Sequence, residues 1–177
     1  MNATRVLVAH ASKRGSTAEI AQVIGETLGK QGLEVDVRPV DEVDDLTPYR
    51  AVLVGSAVYM FRWRHSAVRF LRRHREELAK RAVWLFQSGP MDDSAERGPI
   101  ALPKKMAALA AEVGARGHET FGGRLAPDAE GFMARKMVEG GHGGDFRNFD
   151  RVRAWAGEVA RSLSAPAAYQ PEPAPPM

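Results

Sequence analysis

The 177-residue chain predicts an open α/β fold, a doubly wound sheet of five parallel strands with helices on both faces. Three observations carry this. Apolar runs of strand length recur along the chain. They are rich in Val and Leu and nearly unbroken rather than alternating, as in strands buried on both faces. Segments of helical spacing separate them, which is the pattern of a parallel sheet built from crossovers.

The first run is Val6–Ala9. After it Ile20, Ala21, Ile24 and Leu28 share one helical face, Glu19, Gln22, Glu26 and Lys30 take the other, and Gly32 is a suitable stop. The second run is Leu33–Val37, followed by a crossover from Asp41 to Tyr49 that is short, contains a proline and has room for a turn or two of helix. Ala51–Gly55 is the third, followed by a helix striped with Val68, Leu71 and Leu78. Ala82–Phe86 is the fourth, and its helix carries Met106, Leu109, Ala110 and Val113. The fifth and weakest strand is His118–Gly122; the final helix is marked by Phe149, Val152, Ala156, Val159 and Leu163. From Ser164 the text "SAPAAYQPEPAPPM" holds five prolines and no periodicity. The chain is therefore expected to divide into one domain over residues 1–163 and a proline-rich disordered tail over 164–177.

With no cysteine in the chain, disulfides, thiolate metal sites, iron–sulfur clusters and cysteine nucleophiles are excluded, so any redox chemistry belongs to a cofactor. There is no apolar run of eighteen residues and no basic-then-apolar leader, so a cytoplasmic location is expected. Eight Lys or Arg against two Glu lie between Arg62 and Arg81, a surplus of six, which leaves about minus three for the rest of a chain whose net charge is +3. One basic stripe on a mildly acidic body points to a local anionic partner rather than to nucleic acid. A solvated helix face is the plainer account of the same stripe.

In such a sheet the ligand crevice lies outside the carboxyl ends of the strands, where the strand order reverses. The loop Ala11–Thr17 sits at one of these ends. Its backbone amides and the hydroxyls of Ser12, Ser16 and Thr17 make a cup of donors suited to a phosphate, and Gly15 allows close approach. A second reading needs no ligand: Ser16-Thr17-Ala18-Glu19 is a capping box, with Ser16 as the cap and Glu19 reaching back to its amide. Neither G-x-x-x-x-G-K-[ST] nor G-x-G-x-x-G is present, which weakens NTPase and dinucleotide readings. No paired carboxylates, metal cluster or Ser-His-Asp spacing stands out; Asp92 and Asp93 are weak evidence for a cation.

"HASKRGSTAEIA" after a first strand resembles the phosphate loop of the flavodoxin-like family. The family's T-x-T-G-x-T becomes Ser12-Lys13-Arg14-Gly15-Ser16-Thr17, with Ser12, Gly15 and Thr17 matching directly and Arg14 in place of a threonine, where its charge suits a phosphate dianion. The resemblance implies the strand order 2-1-3-4-5 and FMN held non-covalently at the ends of strands one, three and four. It further implies that the third loop, with Ala57, Val58, Tyr59, Phe61 and Trp63, covers one face of the flavin. Aromatic packing at a strand end accounts for these residues equally simply. The fourth loop, Ser88, Gly89, Pro90 and Met91, would run along the pyrimidine edge, or be an ordinary surface turn.

Within the family, "GSAVYMFRWRHSAVRFLRRH", "FGGRL" and "GDFRNFDRVRAWAGEVA" look like the branch grouped with menaquinone-dependent protoporphyrinogen oxidase. That implies an FMN oxidoreductase moving electrons from a porphyrinogen to a quinone, with Arg62, Arg64, Arg69, Arg72, Arg73 and Arg75 meeting porphyrin propionates or anionic headgroups at the inner face of a membrane. The alternative is an electron carrier that docks an acidic redox partner protein on the stripe and has no substrate of its own. A receiver-type signalling module is the third class, opposed by His10, Ser12 and Lys13 standing where an acidic pair would hold magnesium. Residues 126–145 depart from the branch; Phe132, Met133, Met137 and Val138 there suit a flap over the flavin, a substrate groove or a surface connection, and His142 is expected to face solvent.

Overall fold

The computed structural model describes residues 4–13, 15–125, 131–141 and 143–165. Along it run β1 (Arg5–Ala11), α1 (Ser16–Lys30), β2 (Glu34–Pro39), a single 3-10 turn (Val40–Glu42), β3 (Ala51–Tyr59), β4 (Arg62–Trp63), α2 (His65–Arg73), α3 (Arg75–Leu78) and β5 (Ala82–Ser88). They are followed by α4 (Ser94–Arg97), α5 (Lys104–Glu112), β6 (Gly117–Phe121), β7 (Arg124–Leu125), α6 (Phe132–Glu139), β8 (Gly144–Asp145) and α7 (Phe149–Ser164). The five long strands pair in parallel in the order β2-β1-β3-β5-β6. Counted by long strands alone this is the order 2-1-3-4-5, with its reversal between β1 and β3.

Alternation through the sheet builds two cores. Leu7, Ala9, Val52, Val54, Val83 and Leu85 face α2, α3 and α5, where Phe70, Leu71, Leu78, Met106 and Leu109 meet them. Val6, Val8, Leu53, Trp84 and Phe86 face α1 and α7, against Ile20, Ile24, Leu28, Val152 and Val159. The predicted helix faces are those that are buried, Leu28 and Val152 among them at 0% exposure. The stretch after β2 is one 3-10 turn, as its length allows.

Four features depart from expectation. The sheet gains a sixth member because β3 runs on to Tyr59 and folds back into β4, pairing Val58 with Trp63 and Tyr59 with Arg62. A two-residue sequence such as Arg62-Trp63 has too little length to show a period. β7 and β8 form a separate antiparallel pair for the same reason. The helix predicted after β3 breaks at His74, which ends α2 and precedes α3, and α7 extends to Ser164, one residue past the predicted domain limit. The remainder of the predicted tail, residues 166–177, lies outside the described residues. Among the described residues no helix is long and apolar enough to cross a membrane.

Candidate functional site

The carboxyl ends of β1, β3 and β5 carry the three predicted loops, and packing brings them together. Gly15 is the residue before α1, at φ 83° and ψ −10°, a left-handed conformation that glycine adopts at no steric cost. Its amide donates to Ser12 Oγ at 3.0 Å, which leaves the Ser12 hydroxyl proton free for another acceptor. The first intrahelical bond runs from the Glu19 amide to the Gly15 carbonyl at 2.9 Å. The amides of Ser16, Thr17 and Ala18 therefore start the helix without an intrahelical acceptor, at its positive end.

This geometry corrects the capping-box reading. Because Gly15 takes the cap position, Ser16 is already helical and no side chain caps the helix. Ser16 Oγ is buried and has no partner among the described residues. Glu19 turns away from the Ser16 amide and pairs with Arg147 at 2.6 Å and Arg124 at 3.8 Å. Thr17, fully buried, shares a 2.8 Å hydrogen bond between its Oγ1 and Ser88 Oγ, tying the first loop to the end of β5. Two hydroxyls in one bond leave one proton over, so the pair is still a donor. Lys13 is exposed, and Arg14 lies outside the described residues.

Three helix-start amides, the Ser12 proton and an orphaned Ser16 hydroxyl make a set rich in donors. An unpaired buried hydroxyl costs about 1–3 kcal/mol, and an oxyanion in the cup removes that cost. The residues present therefore fit a phosphate.

In the second loop Ala57 and Val58 are half-buried. Tyr59, Met60 and Phe61 are 48%, 68% and 89% exposed, so the tip of the hairpin stands clear of the body. Met60 and Phe61 have φ of 50° and 61°, the primed hairpin geometry normally given to Asn-Gly and strained for these side chains. Trp63 departs from the expectation for the aromatics. It is 5% exposed, and its Nε1 donates to Gln87 Oε1 at 2.9 Å, so it packs as a core residue. Alternation explains this, since Val58 and Trp63 are cross-strand neighbours on the covered face.

The third loop closes on both others. Ser88 bonds Thr17 of the first, and a Cβ at Gly89 would lie 3.1 Å from Val58 Cβ of the second; on its outer side the Pro90 carbonyl accepts from the Gly123 amide at 2.8 Å. Ser88 is buried, while Gly89, Pro90 and Met91 are half-buried. Asp92 accepts from the Ser94 amide at 2.8 Å and Asp93 pairs with Arg97 at 2.6 Å, so both acids are engaged within their own turn. Among the described residues no group of three or more His, Asp or Glu could hold a metal ion.

Sequence reasoning missed the outer wall. Gly122 lies so close to the Phe146 carbonyl that any Cβ would collide with it, and the Phe146 amide donates to Gly123 at 2.9 Å. Arg147, with only 4% of its side chain exposed, grips Asp145 at 2.9 and 2.8 Å and Glu19 at 2.6 Å, with its guanidinium 4.9 Å from the Phe149 ring centre. The Asp145 bond, aided by Glu19, holds Arg147 charged well above the ordinary range, while the same bond lowers the Asp145 carboxyl. The local signal was Asp145 and Arg147 two residues apart ahead of Asn148, whose side chain accepts from the Arg151 amide as the cap of α7. Arg151 reaches Glu119 at 2.8 Å and the Ala95 carbonyl, fastening α4 to α7 and β6.

His10, at the end of β1, is 9% exposed and its Nδ1 has no partner among the described residues. Burial pushes its imidazole below the ordinary value, against an opposing pull from Glu42. The basic stripe is partly spent: Arg69 meets Asp41 at 3.4 Å, Arg73 meets Asp44 at 3.3 Å and Arg75 meets Glu112 at 3.6 Å. Arg62, Arg64 and Arg72 make no ion pair among the described residues. Phe132 on α6 is 71% exposed, with Lys136 Nζ 4.7 Å from its ring centre; His142 lies outside the described residues.

The family described as "Flavodoxin domain" matches residues 7–140. No curated protein matches the sequence. Among solved structures, a flavodoxin from Pseudomonas aeruginosa superposes with a TM-score of 0.62 at 18% identity, covering 92% of this chain and 100% of its own. Oxidised flavodoxin 2 from Bacillus cereus gives 0.57 at 22% identity, with 92% and 100% covered. The rubredoxin:oxygen oxidoreductase of Desulfovibrio gigas gives 0.61 at 14% identity, over 91% of this chain and 37% of that one.

Proposed function

This chain belongs to the flavodoxin-domain family, which indicates FMN as its cofactor and electron transfer as its work, and on that premise we propose that it is an FMN-dependent oxidoreductase of the protoporphyrinogen-oxidase-like type. The observation that carries the cofactor site is the buried, unpartnered Ser16 hydroxyl among free helix-start amides. Ser12, Gly15, Ser16 and Thr17 would hold the phosphate, joined by Arg14. Tyr59 and Phe61 would cover one face of the ring system, and the backbone of Ser88–Met91 would meet its edge. The bound flavin supplies reversible uptake of electrons; the chain's residues bind it, limit its access to water and set its potential.

Two exposed aromatic side chains stand beside Arg62 and Arg64 on one hairpin, with Arg72 on the adjoining α2. This pairing suits a flat apolar macrocycle with carboxylate arms, stacked on the tip and anchored by charge-assisted bonds, with a quinone as final acceptor. We place the protein in the cytoplasm, with peripheral contact at the membrane's inner face through the Arg62–Arg75 stripe. The three arginines that make no ion pair among the described residues also favour a second reading, a carrier that docks an acidic redox protein. Turnover separates the two: FMN-loaded protein should oxidise protoporphyrinogen with a soluble quinone present, and Arg62→Ala/Arg64→Ala should raise KM more than it lowers kcat. Electron relay between proteins without any porphyrinogen oxidation would leave the carrier.

A further inference from the structure

An open groove of about 930 Å³ lies at the amino ends of the strands, across the whole sheet from the phosphate loop. Thr4 enters β1 there, Arg50 precedes β3, Lys80 and Arg81 precede β5, Arg116 precedes β6, and Ser162 comes from the last turn of α7. Among the described residues four cations line it and no Asp or Glu does. None of the four makes an ion pair among the described residues.

Two of the four are held in place. Arg81 donates Nε to the Tyr49 carbonyl at 2.9 Å and Nη1 to the Glu77 carbonyl at 2.7 Å, which leaves Nη2 without a partner among the described residues. Arg116 lies 5.4 Å from the centre of the Trp84 ring. Helix dipoles account for part of the clustering, because α3 and α7 both end here and cations favour helix carboxyl ends. They do not account for Arg50 and Arg116, which stand on strand-entry loops. Cations gathered without acids repel one another, and an anion bridging them removes that repulsion and gains charge-assisted bonds.

We infer that this groove binds a small polyanion, a molecule with two or more phosphate or carboxylate groups, at a site separate from the family's cofactor site. Four cations spread over three strand entries match several linked anionic groups better than a single one, and the hydroxyls of Thr4 and Ser162 add neutral donors. The inference does not rest on FMN binding.

Calorimetric titration of tripolyphosphate, and separately citrate, into FMN-treated full-length protein at about 0.15 M ionic strength tests it. Saturable binding is expected for at least one of them, weakened about tenfold or more in Arg50→Gln/Lys80→Gln and in Arg116→Gln, and unchanged in Ser16→Ala. Circular dichroism and melting curves establish that these surface variants fold. Binding that Ser16→Ala weakens while Arg50→Gln/Lys80→Gln leaves it intact would move the anion to the phosphate loop and overturn the inference. So would the absence of saturable binding for both anions, including the case in which only an acidic protein is retained. If the protein ignores FMN, tripolyphosphate binding that depends on Arg50 and Lys80 still upholds it.

Discussion

Ser16 has opposite consequences for the apo protein and for the FMN complex. Its buried hydroxyl lacks a partner among the described residues, so Ser16→Ala should stabilise the apo protein by about 1 kcal/mol in urea melts while weakening FMN about tenfold in a fluorescence titration. A helix cap would give the reverse sign for stability. His10 makes a prediction in pH. Its folded pKa is lowered by burial, so below the ordinary value of 6.5 the unfolded chain binds a proton that the folded one resists. Stability should be unaffected by His10 above that value and fall below it, by up to about 1.4 kcal/mol per pH unit, until the folded pKa is reached. Denaturation of wild type and His10→Gln across this range checks it: the wild-type curve should fall more steeply as pH drops, and parallel curves would contradict the account.

At the scale of elements, the hairpin between β3 and β4 and the segment around Arg147 are the two devices that shape the site. Met60→Asn/Phe61→Gly places residues suited to positive φ at the tip, so it should stabilise the fold by about 1 kcal/mol while weakening FMN by removing an exposed ring. Arg147→Ala should cost about 2 kcal/mol, because three charge-assisted bonds join α1 to the β8 edge, and Arg147→Lys should restore only part of it. Denaturant midpoints measure both variants. The Asp145 carboxyl is lowered, so its contribution holds above its ordinary value of 3.8 and is lost as pH falls through the folded value. These elements also mark where sequence stops being legible. β1, β3 and β5 announce themselves because both faces are buried, while β2 and β6 lie at the sheet edges and are only partly buried; α1 and α7 stand out because one face is covered. β4, β7 and β8 are two residues each and have no period to read. Ser16 looks like a cap until the left-handed turn at Gly15 shifts the helix start by one residue. Trp63 reads as one of three equal aromatics, although only cross-strand pairing decides which of them faces the core. The Glu19–Arg147 link spans most of the chain and leaves no local trace.

At the scale of the whole molecule, the sheet separates two regions rich in positive charge or hydrogen-bond donors. The crevice at the carboxyl ends combines helix-start amides, hydroxyls and an aromatic tip; the groove at the amino ends combines four cations and two hydroxyls. The parallel topology produces this separation, because every long strand points its carboxyl end to the same side. The central claim is that the first of these holds FMN by its phosphate. Its most direct test is a paired titration of FMN and riboflavin, which share the ring and differ in the phosphate, against wild type and Ser16→Ala. Saturable binding of FMN to wild type is expected, with FMN weakened about tenfold by the substitution and riboflavin affinity unchanged by it. Failure of wild type to bind FMN, or equal weakening of both flavins, would contradict it.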